Sequence, residues 1–366
     1  MNSVQNHENI FVCGTGAVSP AGWGIKPLVE AMANGTPILT RELSRPGQPP
    51  LRVRSVSAPA ARPPWLGHAR LRRTSPITQY AVAAALEALG PDAARVTGGS
   101  LRLGVVMCVM SGCVNYSRRF YDEALRDPAT ASPLVFPETV FNAPASHLAA
   151  LLGTQAINYT LVGDPGTFVQ GLALASDWLL GHQVDACLVI GAEEIDWLTA
   201  SAFRLFHRNI ILAEGAGSVC LRREPADENS VRLEMISDSH LFTAAQPRHA
   251  ATWKMRQQLP SARPDAMLVD GLQNLSRYDA AETAAWHGWS AHRLSPKKIL
   301  GEGLVAAAAW QTILGIEAVR RENAPALISV VGTNQQAIGA VFGTKGCNTI
   351  GVSVGADASA VGAASL

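Results

Sequence analysis

Cysteine and histidine side chains are the groups in this sequence that could supply a nucleophile, a general base or a metal site. Most of the cysteines lie in apolar runs, and none forms a C-x-x-C pair, which favours reduced, buried thiols over disulfides or a metal. The tempting nucleophile is Cys113, in the glycine-containing loop MSGCVNY. Because it follows an apolar strand with neither a helix N-terminus nor a histidine at motif spacing, we interpret it as structural. The six cysteines are Cys13, Cys108, Cys113, Cys187, Cys220 and Cys347.

The histidines do not form a recognisable set. His147 is interpreted as a helix-packing residue, and His207 and His292 as surface residues. HRNI, after SAFRLF, has no metal-ligand spacing. The sequence therefore predicts neither a metal nor a cofactor.

The elements that position these residues follow from apolar runs that end in small residues and alternate with helical stretches. This alternation predicts an α/β protein with parallel or mixed sheets. The predicted strands are 10–16, 103–109, 157–163, 186–194, 266–271, 328–333 and 349–355. The predicted helices are 26–35, 75–90, 168–181 and 304–322.

Length and composition limit the class of protein. A chain of 366 residues suits two domains or one large duplicated domain, and 48% hydrophobic residues supply a sizeable core. The net charge of +1 selects neither nucleic acid nor an anionic membrane as a partner. Since the N-terminus has no signal pattern and no apolar run approaches about 18 residues, we expect a soluble, cytoplasmic protein without a membrane span.

Two segments are predicted to be irregular. Residues 40–75, rich in proline and arginine, are predicted to form irregular surface structure, and residues 115–146 a long insertion of functional or interface-forming character. The midpoint near REPADENS suggests an N-terminal half at 1–228 and a C-terminal half at 229–366.

The order of the motifs resembles the β-ketoacyl synthase family, in the branch that uses Cys-His-His chemistry. VCGTGAVSPAGWG, RRTSPITQYAVAAALEAL, GAEE, AEGAGSVCL, SPKKILGEGLVAAAA and TIGVSVGADAS follow one another as the family's motifs do. Glu193, Glu214, Gly215 and Gly301 are identified with motif positions. The resemblance implies a thiolase-like fold, in which two similar α/β halves with mixed sheets pack as five layers, α-β-α-β-α.

The same resemblance locates three catalytic positions, and each carries another residue. The position of the family's nucleophilic cysteine is Pro165, in LVGDPGTFVQG; proline suits the first turn of a helix but has no nucleophilic atom. The position of the first histidine is Asp270, in LVDGLQN. In the K-x-x-x-G-H pattern Lys297 is retained and Glu302 replaces the second histidine.

These replacements oppose the family's reaction. The two histidines donate hydrogen bonds to the thioester oxygen while malonyl carrier protein loses carbon dioxide, and the loss of one such donor costs about a hundred- to a thousand-fold in rate. Ionised Asp270 and Glu302 would repel both the malonyl carboxylate and the enolate. We expect Lys297 and Glu302 to form a buried ion pair instead.

A non-catalytic chain of this family would act through its partners. In the family, the strand before the nucleophile, here 155–163, pairs across the dimer axis. The expected role is that of a chain-length factor, a partner subunit of an active ketosynthase in fatty acid, polyketide or polyene biosynthesis. A chain-length factor commonly has glutamine where this chain has Pro165.

Two other roles stay open. One is an enzyme with altered chemistry using Asp270, Glu302 and Lys297 as acid–base groups. The other is a homodimer that binds acyl groups or an acyl carrier protein. Exposed arginines that could contact a carrier protein or its phosphopantetheine arm are Arg70, Arg72, Arg73, Arg118 and Arg119.

Overall fold

The computed structural model describes residues 5–6 and 9–344, apart from 226, 228–229 and 261–264. All six predicted strands that fall within this part of the chain are present, as are the four predicted helices. The predicted strand at 349–355, the motif TIGVSVGADAS and Cys347 lie outside the described residues.

The strands are β1 (Gln5–Asn6), β2 (Phe11–Ser19), β3 (Gly22–Trp23), β4 (Arg41–Arg45), β5 (Gln48–Val53), β6 (Leu103–Val109), β7 (Ile157–Val162), β8 (Ala186–Glu193), β9 (Gly215–Arg222), β10 (Arg232–Ile236), β11 (His240–Leu241), β12 (Met267–Val269), β13 (Arg293–Leu294), β14 (Ala326–Val331) and β15 (Gln336–Gly343). The helices are α1 (Ile25–Asn34), α2 (Pro76–Leu89), α3 (Asp92–Thr97), α4 (Val114–Arg126), α5 (Ala143–Leu152), α6 (Thr167–Leu180), α7 (Trp197–Phe206), α8 (Arg248–Gln258), α9 (Ser276–Ala285), α10 (Pro296–Leu300) and α11 (Val305–Glu322).

The sheet reveals an internal duplication that the sequence does not display. The main strands follow the order β13-β12-β14-β15-β10-β2-β9-β8-β6-β7. When the five main strands of each half are numbered in chain order, both halves have the same spatial order, 3-2-4-5-1. Strands 3, 2 and 4 are mutually parallel, whereas strands 5 and 1 are antiparallel to their neighbours. The halves are joined within the sheet by short pairings of β2 and β1 with β10, and by an isolated bridge between Leu212 and Glu302. The division into domains at residue 228 stays a prediction.

The helices arrange these strands into the predicted layers. Helix α11 contacts strands of both halves, and α6 packs beside it, so these two form a central helical layer. Helices α2 and α5 cover the outer face of the N-terminal strands, and α8 and α9 cover the C-terminal strands. Three separate apolar cores fill the spaces between the layers. The expected five-layer α/β fold with mixed sheets is confirmed.

Small residues set the spacing between α2 and β2. The helix sequence AVAAAL buries alanines such as Ala84 and Ala88 against the strand, where Gly14 and Gly16 have no side chain to interfere. A Cβ atom on Gly16 would lie 2.1 Å from the carbonyl oxygen of Ala84. Neither backbone can move without opening the core, so the strand requires glycine here.

Gly16→Ala is therefore expected to lower the free energy of unfolding by about 1–3 kcal/mol through overpacking. Gly67→Ala is the matched control, because nothing lies within 4 Å of its added Cβ atom, and it is expected to stay within about 0.5 kcal/mol of the parent. Differential scanning calorimetry on the two variants measures the difference. Equal melting temperatures would contradict this account of the helix–strand contact.

Two segments that were expected to be irregular contain regular elements, and the interpretation of 115–146 as an insertion stays a prediction. Within 40–75, strands β4 and β5 form a hairpin, followed by short 3-10 turns at Pro64–Gly67 and Ala69–Leu71. Within 115–146, most of the first half is helix α4, followed by a 3-10 turn at Phe136–Glu138. Tertiary contacts of a few apolar side chains order both segments in spite of their polar composition. No helix in the described part of the chain is long and apolar enough to cross a membrane.

Candidate functional site

The junction of β7 with α6 is where the motifs place a nucleophile. Residues Gly163 to Gly166 turn the chain from the strand into the helix, and Pro165 lies buried directly before the first helical turn. The Pro165 carbonyl oxygen accepts a hydrogen bond from the Phe168 N–H at 3.2 Å. The strand–turn–helix geometry is thus complete, but Pro165 offers no atom that could attack a thioester.

Asp164, beside that proline, fastens the junction to the turn between β14 and β15. Its carboxylate accepts hydrogen bonds from the backbone N–H groups of Gly166, Gln335 and Gln336 at 3.1, 3.1 and 3.2 Å. The Gln336 side chain donates a further one at 3.3 Å. Burial raises the pKa of Asp164 above its usual value. Because these hydrogen bonds all come from the protein's own loops, Asp164 holds two loops together and its carboxylate is already engaged.

Asp270, at the end of β12, is fully buried and paired. Arg293 of the neighbouring strand β13 forms an ion pair with its carboxylate. The Leu272 N–H donates to the same carboxylate at 3.0 Å. A carboxylate neutralised in this way is a poor general base, since its lone pairs are already engaged.

Lys297 and Glu302 form the predicted ion pair. Nζ of Lys297 lies 2.8 Å from Oε2 of Glu302, and the two side chains are 2% and 0% exposed. Glu302 also accepts hydrogen bonds from the Gln273 side chain at 2.6 Å and the Leu304 N–H at 2.8 Å. Burial alone would lower the pKa of Lys297, but the adjacent carboxylate outweighs it and raises that pKa. Lys297 is therefore a permanent cation rather than a base or nucleophile.

Glu282 of α9 is a third buried carboxylate near the two ion pairs. It accepts hydrogen bonds from the Gly271 N–H at 3.1 Å and from the Ser329 hydroxyl. Burial, and then the negative charge of Asp270, raise the pKa of Glu282 to about 7. Two carboxylates are thus paired with two cations, and the raised pKa of Glu282 leaves its carboxyl group partly protonated near neutral pH. The cluster contains no thiol, and its two cationic side chains, Arg293 and Lys297, are engaged in ion pairs.

The interpretation of the surroundings of Cys113 requires a correction. The structure places it at the N-cap position of α4, a helix N-terminus that its sequence context did not predict. The thiol is nevertheless unreactive, because burial and then the charge of Glu194 raise the pKa of Cys113 to about 12. Its Sγ points to the carbonyl oxygen of Val140 at 3.5 Å. The interpretation as a structural thiol stands on this burial rather than on the absence of a helix.

The histidines are dispersed. His147 contacts Glu138 at 2.8 Å on one side of α5, His292 is exposed, and His207 is half-buried with its ring edge-on to Tyr278. The five described cysteines are free thiols. Among the residues that the structure describes, no group of three or more histidine, cysteine or acidic side chains is placed to hold a metal ion.

The carboxylates of the two glutamates at the end of β8 accept hydrogen bonds from the backbone of neighbouring segments. Glu193 accepts hydrogen bonds from the Met110 and Ser111 N–H groups at 2.5 and 3.0 Å. Glu194 accepts from Ile77 and Asn115, at the starts of α2 and α4, at 3.1 and 2.8 Å. The starts of α2 and α4 favour a negative charge on Glu194, and two loop N–H groups favour one on Glu193. Burial nevertheless dominates and raises the pKa of Glu193 to about 8 and of Glu194 to about 7.

Glu214 and the motif glycines complete this framework. Glu214 accepts from Val56 and Ile195 at 3.1 and 3.2 Å. Gly215 and Gly301 have φ of 145° and 91°, which favour glycine. An added Cβ would lie 2.2 Å from the Val18 oxygen at Gly215. These motif residues shape the fold around the site.

The raised glutamate pKa values predict a pH-dependent stability. Between about pH 4.5, near the value of an unfolded glutamate, and about pH 8, the folded chain binds more protons at Glu193 than the unfolded chain. Stability is therefore greatest at the acidic end and falls as the pH rises. From pH 6 to pH 8.5, Glu193 alone is expected to lower the free energy of unfolding by about 2–3 kcal/mol, and Glu194 adds to this fall.

Thermal melts across this pH range measure the slope. Glu193→Gln is expected to reduce the slope, since the amide does not titrate, while the raised pKa values of Glu194 and Glu282 leave a residual slope. Glu30→Gln, whose parent side chain is 60% exposed on α1, is the control and should leave the slope unchanged. A slope in Glu193→Gln as steep as that of the parent would show that Glu193 does not contribute to the pH dependence.

The arginines singled out from the sequence divide into two groups. Arg118 is engaged with Asp196 and Asp122, and Arg119 with Glu123. Arg70, Arg72 and Arg73 are exposed. Sequence reasoning missed a different basic cluster, around Arg248, because its members come from separate parts of the chain. Because these residues meet only in the folded chain, no short stretch of the sequence indicates the cluster.

Strand β7 forms one edge of the sheet and carries exposed apolar side chains. Ile157, Tyr159 and Val162 are 43%, 56% and 54% exposed. Tyr159 rests its ring edge-on against Trp178, with centroids 5.2 Å apart. An uncovered, apolar edge strand presents unpaired backbone groups and is a ready site for pairing with another chain.

Comparison with solved structures identifies the class of fold. The ishigamide ketosynthase/chain length factor matches with a TM-score of 0.74 at 18% identity, over 92% of this chain and 99% of that one. A β-ketoacyl synthase from Burkholderia phymatum matches with 0.74 at 16% identity, over 92% and 99%. A ketosynthase in complex with its chain length factor from Xenorhabdus doucetiae matches with 0.72 at 15% identity, over 92% and 98%.

The chain therefore has the thiolase-like fold of ketosynthases and chain length factors, as its motifs predicted. No protein-family model matches the chain, and no curated protein matches its sequence. At these identities the likeness concerns the fold.

Proposed function

We propose that this chain is a non-catalytic ketosynthase homologue that acts as the chain-length-factor-like subunit of a heterodimeric ketosynthase in polyketide or fatty acid biosynthesis. The observation that carries the proposal is the occupied site: Pro165 stands at the start of α6, and the buried Lys297–Glu302 pair lies where the motifs expect a histidine. A partner subunit would supply the Cys-His-His chemistry.

The paired charges favour this role over an enzyme with altered chemistry. Asp270 is tied to Arg293, and the raised pKa of Lys297 keeps its amine protonated at neutral pH. A general base needs an accessible lone pair and a pKa near the working pH. Asp270, Lys297 and Glu302 are all buried, and each is already engaged in an ion pair.

The exposed edge of β7 supports a paired assembly. Backbone pairing along Ile157–Val162 with the matching strand of a second subunit would bury its exposed apolar side chains and extend the sheet. The chain length factor from Xenorhabdus doucetiae is seen in complex with a ketosynthase. An acyl carrier protein, seen with its ketosynthase in another similar structure, is a further proposed partner.

Co-expression with a ketosynthase encoded in the same gene cluster tests the proposal. We expect a one-to-one complex by size-exclusion chromatography with light scattering, and condensation activity in the complex. This chain alone is expected to catalyse neither condensation nor malonyl decarboxylation. A stable homodimer that ignores the synthase would instead favour an acyl- or carrier-protein-binding homodimer. Activity of the pure chain that Asp270→Ala abolishes would favour altered chemistry.

A further inference from the structure

A cationic cavity lies on the C-terminal half, beside the turn between β14 and β15. Its volume is about 490 Å³, and its charged lining side chains are Arg208, Arg248 and Arg277. His207 adds an imidazole to the same wall, and no carboxylate belongs to the lining. Three guanidinium groups around one small cavity repel one another unless an anion lies between them.

Arg248 is held in a defined position at the base of this cavity. Its Nη1 donates to the carbonyl oxygens of Gly332 and Thr333 at 2.5 and 3.0 Å. Its guanidinium lies 4.6 Å from the centroid of the Tyr278 ring, which favours a cation. The Nε–H of Arg248 is buried and has no hydrogen-bond partner in the structure. A buried donor without an acceptor is costly, so a negative charge beside this guanidinium is favourable.

The other two arginines are available. Arg208 follows α7, and Arg277 lies in the first turn of α9; both are exposed. Neither forms an ion pair or hydrogen bond with any residue in the described part of the chain. The nearest buried acid of the candidate site, Glu302, is neutralised by Lys297. The positive charge of this cavity is therefore not balanced by the protein.

We propose that this cavity, here named the arginine pocket, binds an organic phosphate. A single carboxylate would neutralise one of the three guanidiniums, whereas a phosphate or diphosphate group carries more charge and more acceptor oxygens, which match several arginine forks. Phe206, 70% exposed, and Tyr278 supply aromatic surface against which the organic part of the ligand packs. This site lies outside the Lys297–Glu302 cluster and does not depend on the proposed function.

Isothermal titration calorimetry on the full chain tests the arginine pocket with three probes. Pyrophosphate supplies the anion alone, adenosine diphosphate supplies the same anion on an aromatic group, and adenosine is the uncharged control. We expect adenosine diphosphate to bind most tightly, pyrophosphate more weakly and adenosine not at all. Affinity should fall as sodium chloride is raised, because the contacts are ionic.

The double variant Arg208→Gln/Arg277→Gln is expected to weaken binding of both phosphates at least tenfold, and its exposed positions leave folding intact. Arg204→Gln is the matched control, an exposed arginine on α7 outside the pocket, and should change affinity less than twofold. The proposal is overturned if neither phosphate binds at millimolar concentration, if pyrophosphate binds but adenosine diphosphate does not, or if Arg204→Gln weakens binding as much as the double variant does.

Discussion

Lys297→Met is expected to lower the free energy of unfolding by about 3–5 kcal/mol, the usual cost of leaving a buried charge without its partner. Glu302 is 0% exposed and cannot turn to solvent when the ammonium group is removed. Its hydrogen bonds from Gln273 and Leu304 remain, but they do not neutralise it. Chemical denaturation or calorimetry of the two proteins measures the loss.

The double variant Lys297→Met/Glu302→Gln is expected to recover most of that stability, since it removes both charges together. Lys26→Met is the surface control: its ion pair with Glu30 spans 3.8 Å, and the lysine side chain is 86% exposed. That variant should cost less than about 1 kcal/mol. If Lys297→Met is as stable as the parent, the ion pair does not stabilise the folded chain. That result would favour the hypothesis of an enzyme with altered chemistry.

Tyr159→Lys is expected to weaken the proposed heterodimer at least a hundredfold, or about 3 kcal/mol, as loss of a central aromatic contact commonly does. Tyr159 lies in the middle of the β7 edge and is 56% exposed in the single chain. A lysine there places a charge in the apolar interface, and edge lysines are a natural means of preventing strand pairing. Analytical ultracentrifugation of the co-purified subunits measures the dissociation constant.

Leu39→Lys is the matched control for this interface. Leu39 is 88% exposed and lies between α1 and β4, away from β7, so the same charge should leave the complex intact. The melting temperature of the isolated Tyr159→Lys chain serves to separate interface from fold, and it should stay close to that of the parent. A complex that tolerates Tyr159→Lys and loses affinity with Leu39→Lys would place the interface elsewhere.

Local patterns were sufficient to predict most elements of the fold. The apolar runs at 103–109 and 186–194 became β6 and β8 within one residue at either end, since runs that are apolar throughout suit strands buried on both faces. The helix predicted at 304–322 became α11, which buries nearly every side chain between the two sheets. The segment 115–126 misled the prediction because its composition is strongly polar and α4 buries no residue, although its few apolar side chains do recur on one helix face.

The sequence by itself determined which residues the family resemblance assigns to the three catalytic positions, namely Pro165, Asp270 and Glu302, since residue identity and spacing along the chain need no coordinates. Only the tertiary structure decided what those residues contact. Asp270 meets Arg293 because β12 and β13 pair in parallel. Burial sets the pKa of Glu193.

The arginine pocket likewise arises from three distant segments that the fold brings to one turn. Desolvation and through-space charge depend on which distant residues become neighbours. That information is absent from any local stretch of the chain.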